Sequence, residues 1–481
     1  MSEKSEKLYD GITNIRPELV EQAGNKTKKF RWKRWGLRAA AAVLALVFVL
    51  GVMLDPKGGG GNMASAYAIA EAKYPEMAPY PAGEGTMGFE NRYDKWQKSL
   101  DDLRQPAGYA EGLEDYFAAS MRQFLSGTEG KNAVYSPVNI YMALAMLAEV
   151  TDGSSRRQIL DALGSGSIGE LRQQAASVWQ AQYRDDGAVT RILGSSLWLR
   201  EDIEYVQTTM DTLADTYYAS SYRGTMGSAE FNKALQTWLN EQTGGLLEEQ
   251  AGKIELDAAT VLAIAASIYY KAAWHNDFNP NRNTQEVFHA ADGDMTCDFM
   301  HQSGTAQYYW GDRFSAIYRS MEAQGGSMWF ILPDEGVTVD ELLADEQTME
   351  FLQMEGTKHE WDNQKYLVVN QAIPKFDVVS DFDLTEGLQA MGITDVFDYT
   401  VSDFSPMTTD VENIEVSQAR HAARVIIDEE GVEAAAFTVL AVVGSAMPPN
   451  EEVDFVLDRP FLFVITGADS LPLFAGVVNQ P

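Results

Sequence analysis

The sequence predicts an α+β fold in which most helices precede most strands. Hydrophobic residues make up 45% of the 481-residue chain and aromatic residues 11%, which is typical of a globular protein with a sizeable core. Apolar residues recur at helical spacing between positions 112 and 241, whereas strand-like runs dominate after position 260. Helices and strands are therefore segregated rather than alternating, which favours α+β over a doubly wound α/β fold.

Five segments have the spacing of helices, and five later segments are predicted as strands. The fourth helix is entered through capping residues around Asp152, and the fifth ends at Gly244 and Gly245. The predicted helices cover residues 93–103, 112–125, 140–150, 154–163 and 231–241. The predicted strands cover residues 260–270, 327–332, 366–373, 455–465 and 472–478.

The charge of the chain is unevenly distributed. The net charge of −33 argues against nucleic acid as a partner, since phosphate binding needs a basic surface. Residues 1–38 contain ten Lys/Arg and five Asp/Glu, so they carry a net charge of +5 and the remaining residues −38. The acidic part is typical of a soluble surface.

An apolar run of 16 residues begins at Ala39 and ends at Leu54. With the four residues before it, the run approaches the roughly 20 residues that a membrane-spanning helix needs. Seven basic residues and no acid lie just before it, in residues 26–38, which predicts that this side stays in the cytoplasm. We therefore expect residues 1–38 to be a cytoplasmic tail and residues 39–54 a membrane anchor.

The alternative for this segment is the core of a signal peptide, which would give a secreted protein. A small-x-small cleavage pattern at Ala64 to Ala66 lies about ten residues past the run, and the hydrophilic lead is long for a signal peptide. An uncleaved anchor is therefore favoured. Residues 55–107 then form an extracytoplasmic linker, either a spacer or an N-terminal extension that lies on the domain.

No motif for catalysis is present in the sequence. Gly164 to Gly169 matches G-x-G-x-x-G, but it follows a predicted helix rather than a strand, so we interpret it as a helix stop and loop. The lone Cys297 is expected to pack rather than to react. We predict no cofactor and no metal site, because the five histidines are scattered without a ligand spacing: His275, His289, His301, His359 and His421.

The stretch from Asp428 to Pro449, DEEGVEAAAFTVLAVVGSAMPP, changes from acidic to small and apolar before a double proline. Side chains alternate along an extended chain, so one face carries only small or apolar residues and the other carries the only charge, Glu433. Alanine is a weak strand former, so the stretch is predicted to be a strand only conditionally. The first face consists of Val432, Ala434, Ala436, Thr438, Leu440 and Val442.

Seven motifs, in order, resemble the serpin family over residues 108–481. EEGVEAAA is similar to the family's loop hinge, DRPFLFVI to a late-strand signature, and LFAGVVNQP to the C-terminal strand. Upstream, VYSPVNIYMALAML resembles the early buried helix, and IPKF, LQAMGITDVF and DFS follow in family order. The resemblance suggests a bacterial, membrane-anchored member of the family.

The resemblance implies a fold and a mechanism. The fold would have a helical N-terminal part packed on a large central mixed β-sheet, with further sheets and an exposed reactive loop. The protein would be a suicide inhibitor of serine proteases rather than an enzyme. The protease would cleave the loop and form an acyl-enzyme, and the loop would insert into the central sheet as a new strand. The native state would then be stable only kinetically.

Position by position, the resemblance assigns a hinge in which Gly431 permits the backbone change and small residues allow insertion without overpacking. Val432 stands where the family usually has Thr or Ser, and Phe437 where it has a small residue. By the alternation above, Val432 would face inward and Phe437 outward. The hinge comprises Glu430, Gly431, Val432, Glu433, Ala434, Ala435 and Ala436.

Counting from Gly431 by the family's spacing places the cleaved bond at Ser445–Ala446, within one or two residues. The flanking recognition residues are Val442, Val443, Gly444 and Met447. Because the residues at the bond are small, the expected partner is an elastase-like or subtilisin-like serine protease with a shallow primary pocket, held in a covalent 1:1 complex.

Three further residues align with buried positions that control sheet opening in the family: Ser136, Trp274 and His421. The family's usual Asn is replaced by Ala266 and a Ser by Asn139, so we expect an amide on the neighbouring helix to partner His421.

Two other interpretations remain open. The same fold could serve as a non-inhibitory binding module, which charged residues or proline on the inward face of the hinge would favour; there are none. A membrane-anchored hydrolase would need a nucleophile motif, and none is found.

Overall fold

The computed structural model describes residues 63–81, 88–353, 361–417, 419–432 and 451–481. In this part of the chain, eleven α-helices and seventeen strands form two mixed sheets with helices packed on them, so the predicted α+β class is confirmed. The helices are α1 (Phe89–Asp101), α2 (Glu114–Leu125), α3 (Pro137–Glu149), α4 (Gly153–Ala162), α5 (Ile168–Gln182), α6 (Gln207–Thr216), α7 (Ala229–Gln242), α8 (Glu248–Ala251), α9 (Val339–Ala344), α10 (Glu346–Gln353) and α11 (Thr385–Ala390).

The strands are numbered in chain order. They are β1 (Ala68–Ala70), β2 (Ala133–Tyr135), β3 (Arg184–Asp185), β4 (Val189–Arg200), β5 (Ala219–Gly224), β6 (Leu262–Ala273), β7 (Thr284–Ala290), β8 (Gly293–Trp310), β9 (Phe314–Ser320), β10 (Ser327–Pro333), β11 (Gln364–Pro374), β12 (Phe376–Asp383), β13 (Arg420–Ile427), β14 (Gly431–Val432), β15 (Glu452–Val456), β16 (Phe461–Thr466) and β17 (Pro472–Val478).

The eight-stranded sheet, here called the central sheet, has the strand order β1-β5-β4-β6-β14-β13-β12, with β3 paired to β4. Strands β4 and β5 run parallel and the other neighbours antiparallel. The nine-stranded sheet has the order β15-β11-β8-β9-β10-β16-β17-β2, with β7 paired to β8.

Helix α3 forms the centre of the core between the two sheets. Twelve of its thirteen residues are buried, and it contacts both β6 and β17. Its start is well defined, because the Ser136 hydroxyl accepts a hydrogen bond from the Asn139 amide at 3.2 Å and Pro137 occupies the first turn. The early run VYSPVNIYMALAML therefore supplies the helix on which the central sheet rests.

The structure corrects one predicted strand and adds elements that the sequence pattern missed. Residues 455–465 are not one strand, because β15 ends at Val456 and β16 begins at Phe461. The break contains Pro460, which has no amide hydrogen for a ladder, and the Arg459 guanidinium turns away to the Pro333 carbonyl. Ser167 caps α5, so the second half of the G-x-G-x-x-G match starts a helix that was not predicted.

Residues 63–81, here called the N-terminal extension, lie on the central sheet. They form a 3₁₀ helix at Met63–Tyr67 and then β1, which pairs with β5 at the edge of the sheet. Among the helices of the described ranges, none is long and apolar enough to cross a membrane. The predicted anchor, residues 39–54, lies outside the described residues.

Candidate functional site

The start of the hinge is already a strand of the central sheet. Gly431 pairs with Ala273 and Val432 with Ala272, both on β6. Val432 also pairs with Ile427 of β13, so β14 lies between these two long strands. The Val432 side chain is 3% exposed, as its predicted inward orientation requires.

Gly431 occupies a position where no side chain fits. A Cβ built there would lie 2.3 Å from the carbonyl oxygen of Ala272 and 2.8 Å from the Cα of Ala273. The need for glycine therefore comes from the close approach of the β6 backbone. The backbone freedom that the sequence predicts for Gly431 at the pivot stays a prediction.

A tight turn at residues 428–430 joins β13 to β14. The Asp428 carboxylate accepts hydrogen bonds from the Glu430 amide at 2.8 Å and the Gly431 amide at 3.2 Å. The turn is also tied to its surroundings, because the Glu429 carboxylate forms an ion pair with Lys375. Asp428 and Lys375 were not singled out from the sequence, although an Asp at the start of a turn is a recognisable signal.

Trp274 holds this turn from the end of β6. Its indole Nε1 donates to the Asp428 carbonyl at 2.9 Å, and its backbone amide donates to the Glu430 carbonyl at 2.9 Å. The guanidinium of Arg319 lies over the Trp274 ring, 5.2 Å from the centroid, and 3.9 Å from the Phe278 centroid. Trp274 therefore ties the end of β6 to the turn from which the hinge starts. Its role in sheet opening stays a prediction.

Arg319 is the buried cation that supports Trp274, and sequence reasoning missed it. It donates to the side-chain oxygens of Gln302 at 2.6 Å and Gln371 at 2.9 Å. Burial lowers the pKa of Arg319 to about 9, so it remains charged at neutral pH. The available signal was strand alternation, which places Arg319 on the same face as the buried Ile317.

A second anchor joins the other end of β13 to α3. The backbone amide of Ser136 donates to Nε2 of His421 at 3.0 Å, and both residues are buried. We expected an amide on the helix to partner His421, but the partner is the backbone amide of Ser136, just before α3. The backbone amide of Asn139 donates instead to the Ser136 hydroxyl. Burial lowers the pKa of His421 to about 4, so its ring is neutral at neutral pH and can accept this bond.

The three predicted control residues form two separate anchors. Trp274 contacts the turn at Asp428, whereas Ser136 and His421 meet seven residues earlier along β13, about 23 Å away at strand spacing. Both anchors bind the side of the opening that β13 forms.

Between the two anchors the central sheet has an opening. In the described part of the chain, β6 and β13 are linked only through β14, and no backbone pair joins them towards their N-terminal ends. Both strands line a cavity of about 360 Å³ there, which α3 and α7 cover from opposite sides. Its lining includes residues 262–267 of β6, Arg420 and Ala422 of β13, and Leu235 and Leu239 of α7.

Comparison with known proteins identifies the family. The model of the family described as serpin (serine protease inhibitor) matches residues 113–481. The chain belongs to the serpin family. It is 27% identical to alpha-1-antitrypsin 1-3 of Mus musculus over 390 residues, which is 79% of this chain and 91% of that protein. It is also 27% identical over 394 residues to alpha-1-antitrypsin of Meriones unguiculatus, with coverage of 80% and 93%.

Solved structures have a similar fold, and one of them is a serpin. The native state of the thermophilic serpin tengpin superposes with a TM-score of 0.69 at 22% identity, covering 79% of this chain and 95% of tengpin. Thyroxine-binding globulin in complex with thyroxine superposes with a TM-score of 0.66 at 22% identity, covering 77% and 99%.

Several predicted site residues of this serpin lie outside the described residues. They are Glu433, Ala434, Ala435, Ala436, Val442, Val443, Gly444, Ser445, Ala446 and Met447. Of the hinge, Glu430, Gly431 and Val432 are described. The lone Cys297 is partly buried, and burial raises the pKa of its thiol to about 11, which disfavours the reactive thiolate.

Replacing Gly431 with alanine should force β14 out of the central sheet, because the added Cβ would overlap the Ala272 carbonyl. Overpacking of this kind costs about 1–3 kcal/mol. Hydrogen exchange over residues 428–432 should become faster and the melting temperature should fall. The matched control is Gly304→Ala on β8, where a Cβ meets no atom within 4 Å. Equal exchange in the two variants would contradict the close-approach argument.

The neutral His421 predicts a defined loss of stability in acid. Its pKa falls from 6.5 in the unfolded chain to about 4 in the fold, so the unfolded state binds more protons between these values. The shift contributes about 3 kcal/mol above pH 6.5, which is lost as the pH falls towards 4. The test is urea unfolding of wild type and His421→Gln from pH 7 to pH 4. Over this range the free energy of unfolding should fall by about 3 kcal/mol more in wild type than in His421→Gln. Parallel pH profiles would refute this assignment.

Proposed function

We propose that this serpin is a suicide inhibitor of serine proteases that uses residues 433–450 as its reactive loop. The observation that carries the proposal is β14, because Val432 already occupies the first position of an additional strand between β6 and β13. A segment that continues from Val432 needs no new register. It only extends a ladder that has begun.

The length of β6 matches the run of small or apolar alternate residues that begins at Val432. Val432 pairs with Ala272, so continued antiparallel pairing would bring residue 442 opposite Leu262, the first residue of β6. This distance is the length over which alternate residues from Val432 to Val442 are small or apolar. Their side chains would share the buried face of Val432, where large or charged groups would be costly.

The proposed cleavage site is the Ser445–Ala446 bond, and the proposed partner is an elastase-like or subtilisin-like protease. Gly444, Ser445 and Ala446 fit a shallow primary pocket. From Val432 to Ser445 the inserted strand would span roughly 45 Å, which would carry an attached acyl-enzyme far from its docking position. The two anchors at Trp274 and His421 would delay insertion until cleavage releases the loop.

The decisive experiment is to mix the protein with elastase and subtilisin. A denaturant-resistant 1:1 complex should form, and the released C-terminal fragment should begin at Ala446. The cleaved protein should melt at a higher temperature than the intact protein, because insertion completes the central sheet. A main cut outside residues 443–447 would contradict the assigned bond.

Two single substitutions to arginine, on opposite faces of the hinge, provide matched variants for this experiment. Val432 is already buried in the sheet, so the test places the charge at the next inward position. Ala434→Arg would bury an unpaired charge only when the loop inserts, which costs several kcal/mol. This variant should be cleaved without trapping the enzyme, whereas Glu433→Arg, on the opposite face, should still trap it. If no protease that cuts the loop is trapped and cleavage leaves the melting temperature unchanged, the inhibitory function is wrong.

The second candidate function is a non-inhibitory binding module. The fold alone permits it, since thyroxine-binding globulin in complex with thyroxine has a similar fold. The absence of charge and proline on the inward face of the hinge argues for the inhibitor instead. A stable cleaved form without trapping would favour the binding module.

We also propose that the serpin domain is held outside the cytoplasm by residues 39–54, with residues 1–38 inside. The apolar run and the basic residues before it support this orientation. After cell fractionation, the full chain should be found in the membrane, and external protease should remove the serpin domain. A soluble protein whose mature N-terminus lies near Tyr67 would show instead that the segment is a cleaved signal.

A further inference from the structure

The N-terminal extension precedes the part of the chain that the serpin family model matches, which begins at residue 113. It runs along the edge of the central sheet in an extended path. Strand β1 pairs with β5, with Ala68 opposite Tyr222 and Ala70 opposite Ser221. The extension thus adds an outer strand to the half of the sheet that contains β4, β5 and β6.

One end of the extension is fastened to α7. Ala64 is fully buried in a cluster with Trp198 of β4 and Phe231 and Leu235 of α7. The Tyr67 ring packs edge-on against Phe231 with their centroids 5.0 Å apart. The 3₁₀ helix at Met63–Tyr67 is therefore wedged between α7 and the sheet edge.

The C-terminal end of the extension, at Tyr80, contacts residues that lie beside the hinge. The Tyr80 amide donates to the Asp186 carbonyl at 2.7 Å, and its ring packs on Trp96 of α1 with centroids 5.0 Å apart. The Trp96 indole Nε1 in turn donates to the Asp186 carboxylate at 2.7 Å. That carboxylate also pairs with Arg184, and both side chains are buried. Asp186 precedes Val189, which pairs with Ala272, the partner of Val432.

The middle of the extension is held by aromatic packing on α5. The Ala72 amide donates to the Ser220 hydroxyl at 3.1 Å. The Tyr74 ring lies 5.1 Å from the ring of Trp179 and 5.6 Å from that of Tyr183. The extension thus connects α7, the sheet edge, α5 and the hinge level.

Helix α7 is the element that a new strand must pass. Its Leu235 and Leu239 line the cavity between β6 and β13, so it covers the path of an inserting strand. The loop after α7 reaches across the opening, where the Leu246 carbonyl accepts a hydrogen bond from Arg424 of β13 at 3.3 Å. Insertion therefore requires α7 and this loop to move relative to the sheet.

We propose that the N-terminal extension is a clamp on α7 that slows strand insertion into the central sheet. This inference rests on the proposed inhibitory function, whose rate of loop insertion it would regulate. The contacts of Ala64 and Tyr67 with α7 exist before insertion and weaken when α7 moves. They stabilise the starting state more than the transition state, so their loss accelerates insertion.

The clamp is tested in the full chain with a synthetic peptide of residues 433–445 as the inserting strand, because Val432 already occupies its place in the sheet. This test requires no protease. Its rate of incorporation is followed by the rise in melting temperature. Tyr67→Ala should accelerate incorporation by about tenfold, which corresponds to a loss of about 1.4 kcal/mol. Ala64→Asp, which places a charge in a fully buried position, should accelerate it at least as much.

Two variants serve as controls. Tyr67→Phe keeps the ring contact with Phe231 and should match wild type. Tyr399→Ala removes a tyrosine that is 54% exposed and should also match wild type. Equal incorporation rates in Tyr67→Ala and wild type, even with a lower melting temperature for the variant, would overturn the clamp and leave the inhibitory function standing. If neither the wild type nor any variant takes up the peptide, the proposed inhibitory function itself is overturned.

Discussion

The backbone pairing of β14 between β6 and β13 is the interaction on which the rest of this structure depends. A short strand that pairs between two parallel neighbours holds them apart at that point. Beyond it, the two neighbours either pair with each other or remain separated. Here they stay apart: in the described residues β6 and β13 meet only through β14 and enclose a cavity beyond it. A two-residue strand thus sets the width of an opening that is much longer than itself.

Two buried polar anchors lie at the ends of this opening. At one end, Trp274 binds the turn at Asp428 and is covered by the Arg319 guanidinium. At the other end, neutral His421 accepts a hydrogen bond from the amide before α3. Each anchor is polar and buried, so breaking it leaves an unpaired group, which is costly.

The helices and the N-terminal extension act on the same opening from outside the sheet. Helix α3 supports the sheet from below, and α7 covers the cavity from above. The extension then ties α7 to the edge strand β5. These layers connect the N-terminal part of the chain to a site that the C-terminal part forms, over more than 300 residues of sequence.

The sequence by itself determined the fold class, the early buried helix and the inward position of Val432, because these depend on local alternation and on motifs that are contiguous in the chain. The resemblance singled out Ser136, Trp274 and His421, although not their partners. Only the tertiary structure decided that His421 bonds the Ser136 amide, that Arg319 supports Trp274, and that Gly431 is needed because the β6 backbone lies against it. These contacts join residues from 45 to 285 positions apart, and strand pairing, rather than sequence spacing, determines which of them meet.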